Sequence, residues 1–291
     1  MRGTIVTIHT HQTAPTQFVE AEGIRFAYRC FGKARDHEVI LFNNAGVSSS
    51  SGDVPTTFEE MGANAVAFIK ALGLTQVDAL GISIGGFVAQ EITLQAPELV
   101  RKLILVGTGP LGGQGMATLT PEAQEIFGAS YDEPDDLWLH VHFTQSEKSR
   151  AAGREFLKRF RIRTENRDPE VNEKVAPAQI EAIGKWGAPQ EKSFEYLKSI
   201  RQPTLVVSTD VIFYTVNSYI LQQNLPDAKL ILYPTPATAR NTSTHSCSSV
   251  TSRCSWTRDT HPYYPASTGS RVRQLERLMP CQNTSNQSRR P

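Results

Sequence analysis

Short apolar runs alternate along the chain with segments of helical periodicity, and that alternation predicts an α/β protein with a mainly parallel sheet. Several runs are apolar at consecutive positions, which is typical of strands covered by helices on both faces. These runs are residues 39–44, 77–83, 102–108, 204–210 and 229–234. Active groups in such sheets gather at the carboxyl ends of the strands, so we expect chemistry where these runs end.

The segment between the first two runs predicts a helix. Residues 56–74 have helical spacing, Thr57 and Glu60 match a capping box, and Gly73 is a suitable stop. The second helix follows the run 77–83 and ends before a proline.

A different pattern begins at residue 116. From there to residue 200, helical segments follow one another without an intervening strand, which predicts a helical cap inserted into the core. We therefore expect an α/β core formed by residues 1–115 and 201–234, a cap at 116–200, and an anomalous tail at 235–291.

Composition separates that tail from the rest of the chain. Residues 235–291 are rich in Ser and Thr and hold eight Arg, no Lys and two acidic residues, so the net charge of +1 hides a basic tail and an acidic body. A basic arm suits nucleic acid or an acidic surface, but this one lacks Lys and regular aromatic interleaving. We expect no nucleic-acid function.

Other compositional signals exclude several classes of protein. No apolar run approaches the roughly 20 residues of a membrane span, and the first residues lack the apolar segment of a secretory signal. We expect a soluble, cytoplasmic protein without membrane contact; its oligomeric state is left open. Cys30 stands apart from three cysteines in the tail, which gives neither a metal spacing nor a disulfide framework.

The strongest chemical signal is Gly81-Ile82-Ser83-Ile84-Gly85, a G-x-S-x-G pattern between a predicted strand and a predicted helix. Small residues beside the serine allow a tight, strained turn that projects its hydroxyl from the sheet. The N–H of Ile84 then faces a developing oxyanion. P-loop and dinucleotide-binding patterns, which also place glycines at a strand-to-helix turn, do not fit this spacing. The remaining alternative is a Gly-rich turn in which Ser83 only caps the helix.

A serine nucleophile needs a base, usually histidine, that is oriented by a carboxylate. Asp210 ends the run 204–210 and is the leading candidate for this acid; the alternative is a loop aspartate that caps the following residues. The weaker candidates lie within a strand run or in the cap: Asp78, Asp132, Asp135 and Asp136.

The cap contains two histidines and several aromatic residues. No acidic or cysteine partner has metal-ligand spacing around His140 and His142, so we expect no metal there. Trp138, Phe143 and Trp186 either line an apolar substrate pocket under the cap or only pack the cap.

Together these motifs resemble the α/β-hydrolase superfamily, specifically its serine hydrolases with a helical cap, such as esterases, lactonases and cofactor-free haloperoxidase-like proteins. The resemblance covers about residues 17–234 and rests on "GISIGG", "NNAGVSSSSG", "APELVRKLILVGTGP" and "VVSTDVI". It implies Ser83 as nucleophile, Ile84 as an oxyanion donor and Asp210 as acid. It also implies a small ester-like or other acyl substrate and no cofactor. Dehalogenases and epoxide hydrolases of this fold carry aspartate at the Ser83 position, which argues against both.

The first departure from this family is an apparent internal deletion. The segment "FGKARDHEVILF" passes directly into the strand at residues 39–44, where the family has a further strand, an oxyanion-hole loop and a helix before it. The second oxyanion donor therefore has no candidate. A sheet that lacks an interior strand exposes edges or leaves a hole.

The second departure follows residue 234, where the family continues within a few residues to a His-Gly pair. Thr238 stands near that place, and His245, the nearest histidine, lies in a Ser/Thr run. A shifted reading frame permits Asp-Ala-Ser-His-Gly across residues 235–239, followed by an apolar-periodic helix and a stop. One explanation is therefore a frameshifted carboxyl terminus, and the other is a genuine disordered tail with N-x-S sequons.

Three functions follow from the sequence. The leading hypothesis is a serine hydrolase whose activity in this chain is impaired because the catalytic histidine is not in place. The second is a non-catalytic hydrolase-fold protein that binds a small ligand, and the third is an interaction protein that acts through its basic tail.

Overall fold

The computed structural model describes residues 9–33, 37–133, 135–191, 194–208 and 212–233, and within them the strands form two sheets. The antiparallel sheet has the order β1 (Gln17–Ala21), β2 (Ile24–Lys33) and β3 (His37–Phe42). The parallel sheet has the order β4 (Val77–Ile82), β5 (Val100–Val106), β6 (Thr204–Ser208) and β7 (Ala228–Leu232). All five predicted runs therefore contain strands.

Helix α1 (Phe58–Ala71) joins β3 to β4, and the later helices lie between strands of the parallel sheet. They are α2 (Ile84–Gln95), α3 (Pro121–Gly128), α4 (Asp136–His142), α5 (Glu147–Arg161), α6 (Val175–Gly187) and α7 (Val216–Asn224), with 3₁₀ helices at Pro97–Leu99 and Glu195–Ser199. We call residues 107–203 the inserted segment; α3 to α6 and the second 3₁₀ helix lie within it. The sequence did not predict α7. None of the described helices is both long and apolar enough to cross a membrane.

The first predicted run differs from the other four because it is not part of the parallel sheet. β3 pairs antiparallel with β2, with Tyr28 opposite Phe42 and Cys30 opposite Ile40. The chain returns directly after β2, and so short a connection permits only antiparallel pairing. No ladder among the described residues joins β3 to β4.

Helix α1 begins and ends where its sequence signals predict. The Thr57 hydroxyl accepts a hydrogen bond from the Glu60 N–H at 3.2 Å, which satisfies one of the free donors of the first turn. Past the other end, Gly73 has φ +67°, the left-handed conformation that glycine adopts at low cost.

Helix α1 also links the two sheets through its aromatic face. The Phe68 ring stacks on Phe42 at 4.5 Å and lies 5.7 Å from Phe26, so this face packs on the antiparallel sheet. On another side α1 approaches α2 closely, because a Cβ on Gly62 would lie 2.5 Å from the Cβ of Glu91. Since α2 packs on β4 and β5, helix packing joins the sheets where strand pairing does not.

The two faces of the parallel sheet are buried to different extents. Ala79 and Leu103 are fully buried in the main core with α1 and α2, as is Val206. On the other face, Leu80, Ile104 and Leu205 stand side by side in register but are only half-buried and lie outside that core. Nearer the carboxyl ends, Val106 and Val207 on this second face are fully buried.

Two neighbouring residues of β5 test this asymmetry. We expect Leu103→Ala to lower the free energy of unfolding by about 2–5 kcal/mol, as full truncation of a core side chain does, and Ile104→Ala by less than half of that. Urea denaturation followed by circular dichroism measures both. An Ile104→Ala loss equal to that of Leu103→Ala would mean that the second face is as well covered as the first.

Candidate active site

The predicted G-x-S-x-G turn joins β4 to α2. Ser83 has φ 51° and ψ −122°, a conformation that is unusual for a residue with a side chain and stores backbone strain. The surrounding backbone holds it there. The Ser83 N–H donates to the Val106 carbonyl of β5 at 2.9 Å, and the Ser83 carbonyl accepts from the Gly86 N–H at 2.9 Å.

Two glycines near Ser83 are required for steric reasons: Gly81, which belongs to the pattern, and Gly86, which follows it. A Cβ on Gly81 would overlap the carbonyl of Gly85, and one on Gly86 would lie 2.5 Å from Thr108 Oγ1. At Gly85 a Cβ would meet nothing within 4 Å. The turn therefore depends on Gly81 and on Gly86, whose backbone packs against the end of β5.

The Ser83 side chain is not used to cap the helix. It makes no capping hydrogen bond to α2, although Ser83 occupies the N-cap position. Ser83 and Ile84 are both half-buried. Because the first N–H groups of a helix have no intrahelical acceptor, the Ile84 N–H sits at the positive end of α2 beside an uncommitted hydroxyl. This arrangement suits attack by the hydroxyl and stabilisation of an adjacent oxyanion, and it does not match the capping alternative.

Asp210 lies outside the described residues, as do Thr238 and His245. The structure does describe the strand that leads to Asp210. Ile82 pairs with Val106, and Val106 pairs with Val207 in parallel register. The carboxyl ends of β4 and β6 thus share one edge of the sheet, two strand spacings or about 10 Å apart.

Two of the weaker acid candidates, Asp78 and Asp135, form ion pairs away from Ser83. Asp78 lies in β4, at the opposite end from Ser83, where Arg101 binds it with two hydrogen bonds of 2.6 and 2.8 Å. In the inserted segment, Asp135 pairs with Arg161. No group of three or more metal-ligating side chains occurs among the residues that the structure describes.

The histidines of the inserted segment bond and stack within it. His140 Nδ1 lies 3.2 Å from the Arg150 guanidinium, and the His142 ring stacks on Trp138 at 5.7 Å. Burial lowers the pKa of His142, whose Nδ1 has no hydrogen-bond partner. Burial, and secondarily the positive charge of Arg150, lower the pKa of His140.

The aromatic residues predicted to line a pocket separate into different environments. Trp186 is 4% exposed and stacks on Phe87 of α2 at 5.0 Å, so it belongs to the main core. Phe143 is buried in a small separate cluster with Leu139 and Leu157. Trp138 is 39% exposed. Packing therefore accounts for Trp186 and Phe143.

Polar contacts fasten the inserted segment to the core. Arg29 of β2 binds Asp168 through two hydrogen bonds of 2.6 and 2.9 Å. Next to this ion pair, the Ser48 hydroxyl donates to the Pro169 carbonyl at 2.9 Å. The segment between α5 and α6 is therefore held against β2 and the loop that follows β3.

Several buried polar residues near the turn belong to none of the motifs found in the sequence. Gln90 of α2 and Asn217 of α7 are both 0% exposed, and Thr108 is 3% exposed. Thr108 Oγ1 and Asn217 Oδ1 have no hydrogen-bond partner. The available sequence signal was Gln90 itself, a long amide inside the apolar stretch of α2, but only the packing shows what it contacts.

Comparison with known proteins shows which family the chain matches. A family model described as alpha/beta hydrolase fold matches residues 25–237. The chain is 35% identical to an alpha/beta hydrolase fold protein from Chitinophaga pinensis, whose solved structure matches with a TM-score of 0.68 and covers 77% of this chain and 90% of that one.

Two further relatives carry named activities. The chain is 28% identical to the poly(3-hydroxyalkanoate) depolymerase of Ectopseudomonas oleovorans over 209 residues. This match covers 67% of this chain and 66% of that protein. It also resembles the structure of Est816, an N-acyl homoserine lactone degrading enzyme, with a TM-score of 0.53 at 22% identity, covering 76% of this chain and 92% of Est816. The second likeness shows the fold alone.

The steric requirement at the turn is testable with matched substitutions. We expect Gly81→Ala to prevent stable folding, because its Cβ would overlap backbone that cannot move aside. Gly85→Ala should be neutral or stabilising by about 0.5–1 kcal/mol, since alanine in a helix restricts the unfolded chain. Thermal unfolding followed by circular dichroism compares them. Similar melting temperatures for both variants would show that the described turn is not the folded one.

His142 gives a pH-dependent prediction. A histidine whose pKa is lowered on folding stabilises the protein fully above its unfolded pKa of about 6.5, and that stability is lost as pH falls toward the folded value. We expect the parent protein to lose up to about 1.4 kcal/mol per pH unit in this window from His142. His142→Phe should reduce the loss. Urea unfolding at pH 7.5 and 5.5 measures the difference, and equal pH dependence of the parent and His142→Phe would contradict the prediction.

Proposed function

The chain belongs to the alpha/beta hydrolase fold family, and we propose that its site performs acyl transfer from a small ester-like or other acyl substrate to water, with Ser83 as nucleophile. The observation that carries this proposal is the strained Ser83 backbone, with a hydroxyl that does not cap α2. A positive φ at a residue other than glycine costs free energy, so its presence beside an uncommitted nucleophile favours a catalytic role.

The proposed reaction uses groups around this turn. The Ser83 oxygen attacks the substrate carbonyl carbon, and the N–H of Ile84 donates to the resulting oxyanion. In the family pattern a histidine accepts the Ser83 proton and returns it to the leaving group, and an acid at the position of Asp210 orients that histidine. In this chain, where that histidine is not in place, the Ser83 proton passes to solvent water. Water then releases the acyl group and restores Ser83. No cofactor takes part in these steps.

The named relative supports an ester-like substrate. Poly(3-hydroxyalkanoate) contains ester linkages, and the depolymerase of Ectopseudomonas oleovorans is named for acting on it. We extend the reaction type, and not the individual substrate, to this chain.

We also propose that turnover is slow. Thr238 stands near the position at which the family pattern has histidine. Loss of one member of a catalytic triad typically reduces the rate by about 10⁴-fold, while the oxyanion donor and substrate binding still accelerate the reaction over water. Acylation of Ser83 should therefore be detectable, and steady turnover should not.

The test is incubation with p-nitrophenyl acetate, followed by intact-protein and peptide mass spectrometry. We expect slow addition of one acetyl group at Ser83 and release of about one equivalent of nitrophenolate, because the acyl-enzyme lacks a base for hydrolysis. Ser83→Ala should abolish the label, and Ser49→Ala, in the loop before α1, should not. Labelling elsewhere, or none, would contradict Ser83 as nucleophile. Steady hydrolysis that Ser83→Ala abolishes would contradict slow turnover.

A second candidate function is binding of a small ligand without turnover, which is favoured by Thr238 near the position at which the family pattern has histidine. Thermal stabilisation by a small ligand that is unchanged in Ser83→Ala, together with no acetylation of Ser83, would favour binding over hydrolysis.

A further inference from the structure

One buried side chain of α2, Gln90, uses its whole amide in hydrogen bonds. Nε2 donates to the Gly86 carbonyl at 3.0 Å and to the Gly109 carbonyl at 3.1 Å. Oε1 accepts from the Tyr196 hydroxyl at 2.9 Å. The Tyr196 oxygen in turn accepts from the Leu111 N–H at 2.8 Å. We call Gln90, Tyr196 and these three backbone groups the Gln90 network.

The network joins parts of the chain that are distant in sequence. Gly86 lies in the first turn of α2, three residues after Ser83. Gly109 and Leu111 lie where the inserted segment leaves β5, and Tyr196 lies in the 3₁₀ helix shortly before β6. A single amide therefore ties both ends of the inserted segment to the turn that carries Ser83.

The hydrogen bonds permit only one arrangement of protons. Because the Leu111 N–H donates to the Tyr196 oxygen, the tyrosine proton is directed to Gln90 Oε1. Gln90 Nε2 must then face the carbonyls of Gly86 and Gly109. Burial raises the pKa of Tyr196, so its hydroxyl stays protonated. A fully satisfied network in a buried site is rigid, since each altered bond leaves a group unpaired.

Aromatic packing holds the same region from the other side. Trp186, in the last turn of α6, stacks on Phe87 at 5.0 Å and meets the Tyr196 ring edge-on at 6.4 Å. Its carbonyl accepts from the Gly112 N–H at 2.8 Å. The first two turns of α2 thus contact the start, the last α-helix and the end of the inserted segment.

We propose that Gln90 is a positioning residue, which fixes the first turn of α2 relative to the inserted segment and so sets the direction of the Ile84 N–H toward the oxyanion. This inference rests on the proposed function of Ser83. Gln90 does not touch the reacting atoms. Its effect belongs to the acylation step and not to substrate affinity, because a small misplacement of a catalytic donor lowers the rate while leaving the binding surface in place.

The matched control comes from the same helix. Thr93 is 1% exposed, and its hydroxyl donates only to the Ala89 carbonyl of α2, at 2.7 Å. Thr93→Val therefore removes a buried hydrogen bond without affecting a tie to the inserted segment. Gln90→Met keeps the length of the side chain and removes its amide, and Tyr196→Phe removes one hydroxyl.

The experiment measures acetylation of Ser83 by p-nitrophenyl acetate in single turnovers across a range of ester concentrations. We expect Gln90→Met to lower the maximal acylation rate by about 10- to 100-fold, with the half-saturating concentration changed by less than about twofold. Tyr196→Phe should lower the rate less, and the double variant no more than Gln90→Met alone, because both act through one network. Thr93→Val should match the parent protein.

A second measurement does not need acylation. Hydrogen exchange over residues 84–91 should accelerate in Tyr196→Phe, although Tyr196 is more than 100 residues away in the chain, and should not accelerate in Thr93→Val. Equal acylation rates in Gln90→Met and the parent, or equal losses in Gln90→Met and Thr93→Val, overturn the inference. If the parent protein is not acetylated at Ser83, the proposed function fails, and hydrogen exchange alone decides whether the network couples the inserted segment to α2.

Discussion

The strained backbone of Ser83 is the constraint on which the site depends. A residue with a side chain keeps a positive φ only where its surroundings prevent relaxation. Here the Val106 carbonyl binds the Ser83 N–H, and the backbone of the next turn fills the space that Gly81 leaves open. Gly86 packs on Thr108 in the same way. The position of β5 therefore determines the turn, and the helices that bury β5 maintain it.

Helix packing, and not a continuous sheet, joins the two halves of the core. In a continuous sheet, ladder hydrogen bonds would connect β3 to β4. Among the described residues that connection is made instead by α1, whose Phe68 packs on the antiparallel sheet while Gly62 admits α2. Hydrophobic burial is less directional than a hydrogen-bonded ladder, so this joint requires no fixed register between the two sheets.

The inserted segment is attached to the core in two chemically different ways. At its ends the neutral Gln90 network connects it to α2, in surroundings where every unpaired group is costly. Near its middle, the partly exposed ion pair between Arg29 and Asp168 holds it against β2. The Arg29 and Asp168 side chains are only 18% and 31% exposed and form two hydrogen bonds, so this pair is not one of the weak, fully exposed kind. The Ser48 hydroxyl and Arg163 hold the same stretch through the Pro169 and Ala14 carbonyls. The ends and the middle of the segment are therefore both fastened to the core.

The sequence by itself determined the local features of this protein. Apolar runs located the strands, Thr57 and Gly73 located the ends of α1, and the G-x-S-x-G spacing located the turn, because each depends on neighbouring residues alone. Only the tertiary structure decided that β3 leaves the parallel sheet and that Gly86, not Gly85, is required beside Thr108. It alone also showed the partners of Gln90. These features depend on contacts between residues far apart in the chain, which no local pattern encodes.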